Sequence, residues 1–240
     1  MEWEMKAKVT QEQIANLLRD YLPFNPKQSE FIIKSDVYYS FGGVKPDNPP
    51  RIVRTREEHK YNFKQIIEAG PQPVDFINEK DPAVWNYVAA NTAALLKGHL
   101  IDFLSTSVTQ PKPQILLTVK EKHTVGDYES NEEFEGELPI NTAMAFQKFV
   151  EMANFRPYFE KNKNSVSFYT DEGLHCELVS VNGSDVYLEV ECCITTDSLS
   201  DPIMRVKDFM KNKVGIEKFD RRSWPEIIKE MEKESLQKSE

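Results

Sequence analysis

The sequence EWEMKAK, at residues 2–8, sorts its charges by position. If this stretch is a β-strand, successive side chains point to opposite faces, so that all four charges share one face and Trp3, Met5 and Ala7 share the other. A charged face of this kind is common on solvated strand edges, where it opposes aggregation. Two carboxylates followed by two amines also suit a site that binds a metal ion together with an anion. The stretch alone leaves both interpretations open.

The same alternation recurs in segments that lie far apart in the sequence. Residues 52–56 place two arginines on one face, and residues 115–122 run from an apolar stretch into two lysines. Residues 131–135, 161–168 and 188–192 alternate in the same way. An amphipathic sheet with a solvated face explains the alternation, but not the sorting of acidic and basic pairs into different segments. We therefore predict an α+β fold in which a closed antiparallel β-barrel has a charged lumen and carries helices on its outside.

Helical patterns between these segments predict the outer layer. Thr10 and Gln13 form a capping box before an apolar stripe that runs to Tyr21. A second helix is expected to begin at Asn141 or Thr142. Its apolar stripe, expected to pack on the barrel, consists of Phe146, Phe149, Val150 and Ala153.

Residues 65–112 are predicted to form a helical insertion. Asp81 and Pro82 offer an N-cap and a first-turn proline, and Pro111 and Pro113 end the insertion before the next strand. The insertion could be a dimer contact, a lid, or a helix of the outer layer. The residues that keep helical spacing are Trp85, Val88, Ala89, Thr92, Leu95, Leu96, Leu100 and Phe103.

The chain divides into a predicted barrel domain at residues 1–199 and a C-terminal helical extension at residues 200–240 that packs on the barrel. Ile203, Val206, Phe209 and Met210 form an apolar stripe in this extension, and Ser223 caps a final helix.

Composition favours a cytoplasmic protein. The 240 residues, 40% of them hydrophobic, are enough for one sizeable core. No apolar run approaches the ~20 residues of a transmembrane helix, so no membrane partner is expected. The three cysteines lack the spacing of a disulfide framework or zinc site and are expected to pack in the core. The net charge of −9 argues against an extended nucleic-acid surface.

Six short motifs follow one another in an order that resembles CYTH domains, also called triphosphate tunnel metalloenzymes. They are Glu2-x-Glu4-x-Lys6, Arg54-x-Arg56, Lys120, Glu133-x-Glu135, Lys161-x-Lys163 and Glu189-x-Glu191. The family includes class IV adenylyl cyclases, thiamine triphosphatases, inorganic tripolyphosphatases and RNA triphosphatases, and the chain looks most similar to the bacterial class IV cyclase-like members. It departs from many members at Asn131, where they have arginine, and at Glu177, where they have aspartate.

The resemblance implies a metal site, a phosphate site and catalytic groups. Mg²⁺ or Mn²⁺ would be held by Glu2, Glu4, Glu177, Glu189 and Glu191. The triphosphate would be bound by Lys6, Lys8, Arg54, Arg56, Lys120, Lys122, Lys161 and Lys163. Glu133, Glu135 and Lys6 are the catalytic candidates. For Glu133, Glu135 and Glu177 three roles stay open: a second metal contact, orientation of water, or fixing of the lysines.

Several activities share these groups. Attack of water on the terminal phosphorus gives orthophosphate, whereas attack of a ribose hydroxyl on the α phosphorus gives a cyclic nucleotide and pyrophosphate. The expected partner is therefore ATP, tripolyphosphate or a similar triphosphate compound, and a homodimer is possible. The alternatives are an RNA 5′-triphosphatase and a sensor that binds nucleotide or polyphosphate without turnover.

Overall fold

The structure is a computed structural model that describes residues 2–22, 29–44, 51–70, 80–100, 104, 106, 108–125, 128–193 and 200–238. Within these ranges, some side chains are not described, and these include the predicted site residues Glu2 and Lys122, and Asn131. The strands are β1 Glu2–Lys8, β2 Glu30–Phe41, β3 Arg51–Asn62, β4 Gln114–Val125, β5 Tyr128–Glu137, β6 Phe155–Tyr169, β7 His175–Val181 and β8 Tyr187–Cys193. The helices are α1 Gln11–Tyr21, α2 Phe63–Glu68, α3 Pro82–Leu96, α4 Ile140–Met152, α5 Ser200–Asp208, which continues as a π-helical turn at Phe209–Lys213, and α6 Trp224–Lys238.

The eight strands form one antiparallel sheet in the order β1-β5-β4-β3-β2-β6-β7-β8. β1 pairs with β8 along its whole length, from Glu2 opposite Cys193 to Lys8 opposite Tyr187. Its contact with β5 consists of the two residue pairs that Glu2 and Trp3 form. The α+β class and the antiparallel sheet are as predicted, while closure of the barrel stays a prediction because this last contact is so short.

The main hydrophobic core lies between the apolar face of the sheet and helices α1 and α3. Phe31, Val166 and Leu188 of the sheet are fully buried there. α1 begins with the predicted capping box of Thr10 and Gln13 and contributes four buried residues. Each fully buried aliphatic or aromatic side chain stabilises the fold by roughly 1.5–3 kcal/mol. This core therefore fixes the sheet and leaves its opposite face to polar groups.

The predicted helical insertion contains α2 and α3. α3 begins at the predicted N-cap Asp81 and packs against α1, as expected of an outer-layer helix. It ends at Leu96, before the predicted Leu100 and Phe103, because Gly98 adopts a positive φ of 85° and terminates it. Leu100 follows in a turn, and Phe103 lies outside the described residues.

In α4, the predicted apolar stripe is wrong at Phe149. Val150 is buried, but Phe149 is 66% exposed. Consecutive helical residues point about 100° apart, so the face that contacts β6 holds Val150 and turns Phe149 away. The helix also begins at Ile140, with Pro139 at the N-cap, so Asn141 and Thr142 do not cap it.

Other expectations are met in the described part of the chain. Cys176 and Cys192 are buried in the main core, and Cys193 has no described side chain. In the tail, Val206, Phe209 and Met210 are buried, and Ser223 precedes α6. None of the described helices is both long and apolar enough to span a membrane.

Candidate functional site

Charged side chains from neighbouring strands share the side of the sheet away from the main core, which we name the charged face. Residues opposite one another in paired strands lie on the same side of a sheet. Glu4 lies opposite Glu191 on β8. Lys6 lies opposite Glu189, whose other neighbour is Glu177 on β7. The same face continues across the remaining strands with Lys163, Lys161, Lys34, Asp36, Arg54, Arg56, Glu58, Lys120, Glu133 and Glu135.

One part of the charged face is the cationic cluster, in which Arg54, Arg56 and Lys161 surround Asp36. The Asp36 carboxylate is 1% exposed. Arg56 binds it with two nitrogens, Nε at 2.6 Å and Nη2 at 3.2 Å. Lys161 Nζ lies 3.1 Å and Arg54 Nη1 3.5 Å from Asp36 Oδ2. Burial alone would raise the pKa of Asp36, but the three cations outweigh it and hold that pKa far below its usual range.

The cationic cluster contains more positive than negative charge, although Glu58 also accepts a 3.4 Å hydrogen bond from Arg56. Within the described residues, Arg54 Nε is buried and has no hydrogen-bond partner. An unsatisfied buried donor costs about 1–3 kcal/mol. An anionic oxygen placed beside Arg54 would remove that cost, so the cluster is suited to bind an anion.

A chain of ion pairs runs through the middle of the charged face. Glu177 accepts from Lys34 Nζ at 2.8 Å and from Lys163 Nζ at 2.5 Å, and Lys163 also binds Glu189 Oε2 at 2.5 Å. The Ser165 hydroxyl donates a further hydrogen bond of 3.1 Å to Glu177. Burial opposes ionisation of Glu177, but the two lysines outweigh it and hold its pKa well below the usual value. Burial also lowers the pKa of Lys34, despite Glu177, whereas the pKa of Lys163 is raised because its two carboxylates outweigh burial.

At the edge of this chain lies the acidic cluster, formed by Glu4, Glu189 and Glu191. Burial, followed by the charge of Glu189, raises the pKa of Glu4 to about 7, and Glu191 adds to the effect. Lys163 outweighs burial at Glu189 and lowers its pKa. Glu191 Oε2 lies 3.4 Å from His175 Nδ1. The charges of Glu189 and Glu191 both oppose ionisation of Glu4, so positive charge beside them would stabilise the ionised carboxylates.

Glu133 and Glu135, two of the catalytic candidates, lie beside basic groups. Lys120 Nζ is 2.6 Å from Glu133 Oε1, and it lowers the pKa of Glu133 against the effect of burial. Thr118 donates a 2.8 Å hydrogen bond to Glu135. Arg54 Nη2 lies 3.8 Å from both carboxylates. These contacts fit the third of the three roles left open, that of fixing basic side chains.

The strand pairing places the predicted site residues on the charged face, with Lys8 at its end, opposite Tyr187. Lys8 is exposed, and its ammonium group binds Asp185 at 2.5 Å, beyond the end of β1. Lys6, two residues earlier, is half-buried. Among the described side chains, no three carboxylate, imidazole or thiol groups are arranged to hold a metal ion. The ion pairs of Glu177 and Glu189 with Lys163 explain why these carboxylates turn toward the lysine.

Several residues of the charged face were missed by the sequence reasoning. Lys34 and Asp36 belong to β2, which no prediction covered, although the stretch IKSDVY at residues 33–38 continues the alternation found elsewhere. The charged residue Glu58 lies in the part of β3 that extends beyond the predicted strand. Trp224, whose indole Nε1 donates a 2.7 Å hydrogen bond to Glu189 Oε1, carries no signal in the sequence for such a contact.

No protein-family model matches this sequence, and no curated protein matches it. The fold is similar to that of the PH1819 protein from Pyrococcus horikoshii OT3, with a TM-score of 0.63 and 15% identity over 96% of this chain and 99% of that chain. A protein from Vibrio parahaemolyticus named as a candidate adenylate cyclase has a TM-score of 0.54 and 13% identity, over 95% of this chain and 97% of its own. A candidate adenylyl cyclase from Hippeastrum, described as having a dominant triphosphatase activity, has a TM-score of 0.52 and 12% identity, over 93% of this chain and 91% of its own. The chain therefore shares their fold along nearly its whole length.

Proposed function

We propose that this protein is a divalent-metal-dependent enzyme of the CYTH kind, closest to the class IV cyclase-like members, which acts on the triphosphate group of a nucleotide or a related compound. The sheet closes into a tunnel, and the charged face lines it. The observation that carries the proposal is the buried Arg54 Nε, which finds no acceptor among the described residues and lies in a cluster of three cations around one carboxylate. The names of the Vibrio and Hippeastrum proteins support the same class of substrate.

The cationic cluster and its neighbours bind the phosphate oxygens. Arg54 and Arg56 present planar guanidinium groups, which suit bidentate contacts with phosphate. Asp36 holds Arg56 from the opposite side and so orients it before substrate arrives. The full set proposed to bind the triphosphate is Lys6, Arg54, Arg56, Lys120, Lys122, Lys161 and Lys163. Lys8 is left out because it binds Asp185 instead.

The acidic cluster, together with Glu2, holds Mg²⁺ or Mn²⁺. The raised pKa of Glu4 supports a cation site, because burial and the charges of Glu189 and Glu191 disfavour a negative charge on Glu4. A divalent cation bound to these carboxylates would neutralise charge on the phosphate oxygens and polarise the phosphoryl group. Glu177 is proposed to fix Lys34 and Lys163 and not to bind metal, since two lysines already balance its charge, whereas Glu189 shares the charge of Lys163 with Glu177.

Cyclase and triphosphatase chemistry use the same phosphate and metal groups, so the product separates them. The test is metal-dependent turnover of ATP, tripolyphosphate, thiamine triphosphate and a 5′-triphosphate RNA, with orthophosphate, pyrophosphate and cyclic nucleotide resolved. Orthophosphate identifies a triphosphatase, and cyclic AMP with pyrophosphate identifies a cyclase. Glu191→Gln should abolish the activity, whereas Glu217→Gln, which changes an exposed residue, should leave it unchanged. Absence of turnover on every substrate, from a folded protein, would contradict the proposal.

A further inference from the structure

The C-terminal helix α6 covers one end of the charged face. Val179 and Tyr187 lie opposite each other on that face, two residues along their strands from Glu177 and Glu189. Both are buried, and with Ile227 of α6 they form a small hydrophobic cluster apart from the main core. Helix α6 therefore packs on the same side of the sheet as the proposed site, whereas α1 and α3 pack on the other side.

Trp224, the first residue of α6, connects this helix to the acidic cluster. Its indole ring packs edge-on against Tyr187, with the ring centroids 5.2 Å apart. Its Nε1 donates a hydrogen bond of 2.7 Å to Glu189 Oε1. The other oxygen of Glu189 is bound by Lys163 at 2.5 Å. The two donors come from different elements and bind different oxygens, so together they fix the plane of the carboxylate.

The position of Trp224 is itself fixed by the segment before α6. The Asp220 amide donates to the Lys6 carbonyl at 2.8 Å, which joins this segment to β1. The Tyr187 hydroxyl lies 3.3 Å from Asp220 Oδ2. Ser223 binds Glu226 through both its amide and its hydroxyl, at 2.6 and 2.7 Å, and this defines the start of the helix. The segment that carries Trp224 is thus tied to β1 and to the first turn of α6.

We propose that Trp224 is a positioning residue that acts through Glu189 and makes the C-terminal helix part of the metal site. The inference rests on the proposed function, because it assigns Glu189 to the metal. Groups that orient a ligating carboxylate typically change metal affinity 10–100-fold when they are removed. Indole Nε1 is a donor only, so it holds Glu189 in one orientation without competing for the metal.

The first test is the spectrum of the indole N–H groups in a ¹H–¹⁵N correlation experiment on the whole chain. The three tryptophans give three indole signals, and Trp224→Phe identifies the one from Trp224. Glu189→Gln should shift that signal and leave the Trp85 signal in place. Saturation with Mg²⁺ should shift it as well. If the Trp224 signal does not respond to Mg²⁺ that is shown to bind, the proposal is overturned.

The second test compares Mn²⁺ affinity in two variants that each remove one polar group from the same aromatic pair. Trp224→Phe removes the donor to Glu189 and should weaken Mn²⁺ binding at least about tenfold. Tyr187→Phe removes a 3.3 Å contact with Asp220 but keeps the ring against Trp224, and Arg222 still binds Asp220 at 2.9 Å, so this variant should bind Mn²⁺ like the wild type. If all three proteins bind Mn²⁺ with equal affinity, the role of Trp224 is overturned and the proposed function is not. If the wild type binds no Mn²⁺, the proposed function fails first, and the inference falls with it.

Discussion

The cationic cluster and the acidic cluster lie on one face of one sheet, yet the pKa values of Asp36 in the first and Glu4 in the second are shifted in opposite directions. Burial opposes ionisation of both carboxylates, but the pKa of Asp36 is lowered, whereas the pKa of Glu4 is raised to about 7. The difference comes from the neighbours. Three cations outweigh burial at Asp36, whereas at Glu4 the charges of Glu189 and Glu191 add to the effect of burial, against Lys120 and Lys163. The direction of each pKa shift therefore depends on whether the neighbouring charges oppose burial or add to it.

The two clusters also differ in the charge of the ligand that would stabilise them. The cationic cluster is held together by its own carboxylate and still has an unsatisfied donor, so an anion adds to an existing structure. The acidic cluster contains like charges that repel, so a cation relieves a cost already present in the fold. Neutralising Asp36 should consequently destabilise the first region, and neutralising Glu4 should stabilise the second.

The largest effect is expected from Asp36→Asn. The substitution removes the charge that Arg54, Arg56 and Lys161 share and leaves only the longer contacts with Glu58, Glu133 and Glu135, at 3.4 and 3.8 Å. Breaking a buried ion pair in this way typically costs about 3–5 kcal/mol. Urea denaturation should show a loss of that size in the free energy of unfolding. Asp185→Asn is the matched control, because Asp185 pairs with Lys8 and Lys97 on the surface, where such pairs contribute at most about 1 kcal/mol. Equal losses in the two variants would mean that Asp36 does not hold the cluster.

The next largest effect is a dependence of stability on pH that Glu4 creates. The pKa of Glu4 is higher in the folded chain, about 7, than its ordinary value of 4.5, so the folded state binds more protons between these pH values. Stability should therefore fall as pH rises from 4.5 to 7, by up to about 3 kcal/mol from this group. Unfolding curves across this range in EDTA should show the decline in the wild type and lose it in Glu4→Gln.

Asp36 should produce the opposite slope at lower pH. Its pKa is lowered by folding, so its contribution is complete above about pH 4 and is lost as pH falls further. Added Mg²⁺ should reduce the fall in stability between pH 4.5 and 7 and leave the loss of stability below pH 4 unchanged. If the wild type and Glu4→Gln had the same stability at every pH, ionisation of Glu4 would carry no cost in the folded chain.

Much of the fold could be predicted from alternation, because a strand period of two reports directly on the faces of a sheet. The segments around Arg54, Lys161 and Glu189 are strands of the charged face for this reason. β2 has the same pattern around Lys34 and Asp36 and could have been found by the same rule.

Other features depend on contacts that no local pattern reports. The pairing of Lys163 with both Glu177 and Glu189 needs the register of three strands, which is set by the whole sheet. The hydrogen bond of Trp224 to Glu189 joins residues 35 positions apart. The end of α3, by contrast, could have been predicted from the sequence, since glycine frequently terminates helices and Gly98 follows α3.

A smaller effect is expected from Arg54→Lys, which tests whether the unsatisfied Nε faces the substrate. Lysine keeps the charge but loses the planar fork, so tripolyphosphate should bind roughly tenfold more weakly in the presence of Mg²⁺, a change of about 1.4 kcal/mol. Stability should change by less than about 1 kcal/mol, because Arg56 and Lys161 still bind Asp36. Calorimetric titration gives the affinity, and Arg156→Lys, at an exposed arginine, is the control. Unchanged binding by Arg54→Lys would place the phosphate elsewhere.

The smallest effect is expected from Lys8→Ala, compared with Lys6→Ala on the same side of β1. Lys6 lies opposite Glu189, so its loss should weaken tripolyphosphate binding about tenfold or more. Lys8 is exposed and binds Asp185 at 2.5 Å, so its loss should change affinity less than about twofold and stability by less than about 1 kcal/mol. Together, the two variants test whether the phosphate site ends between Lys6 and Lys8. Equal weakening in both would extend the phosphate site to the turn that holds Asp185, and would restore Lys8 to the role that the sequence predicted.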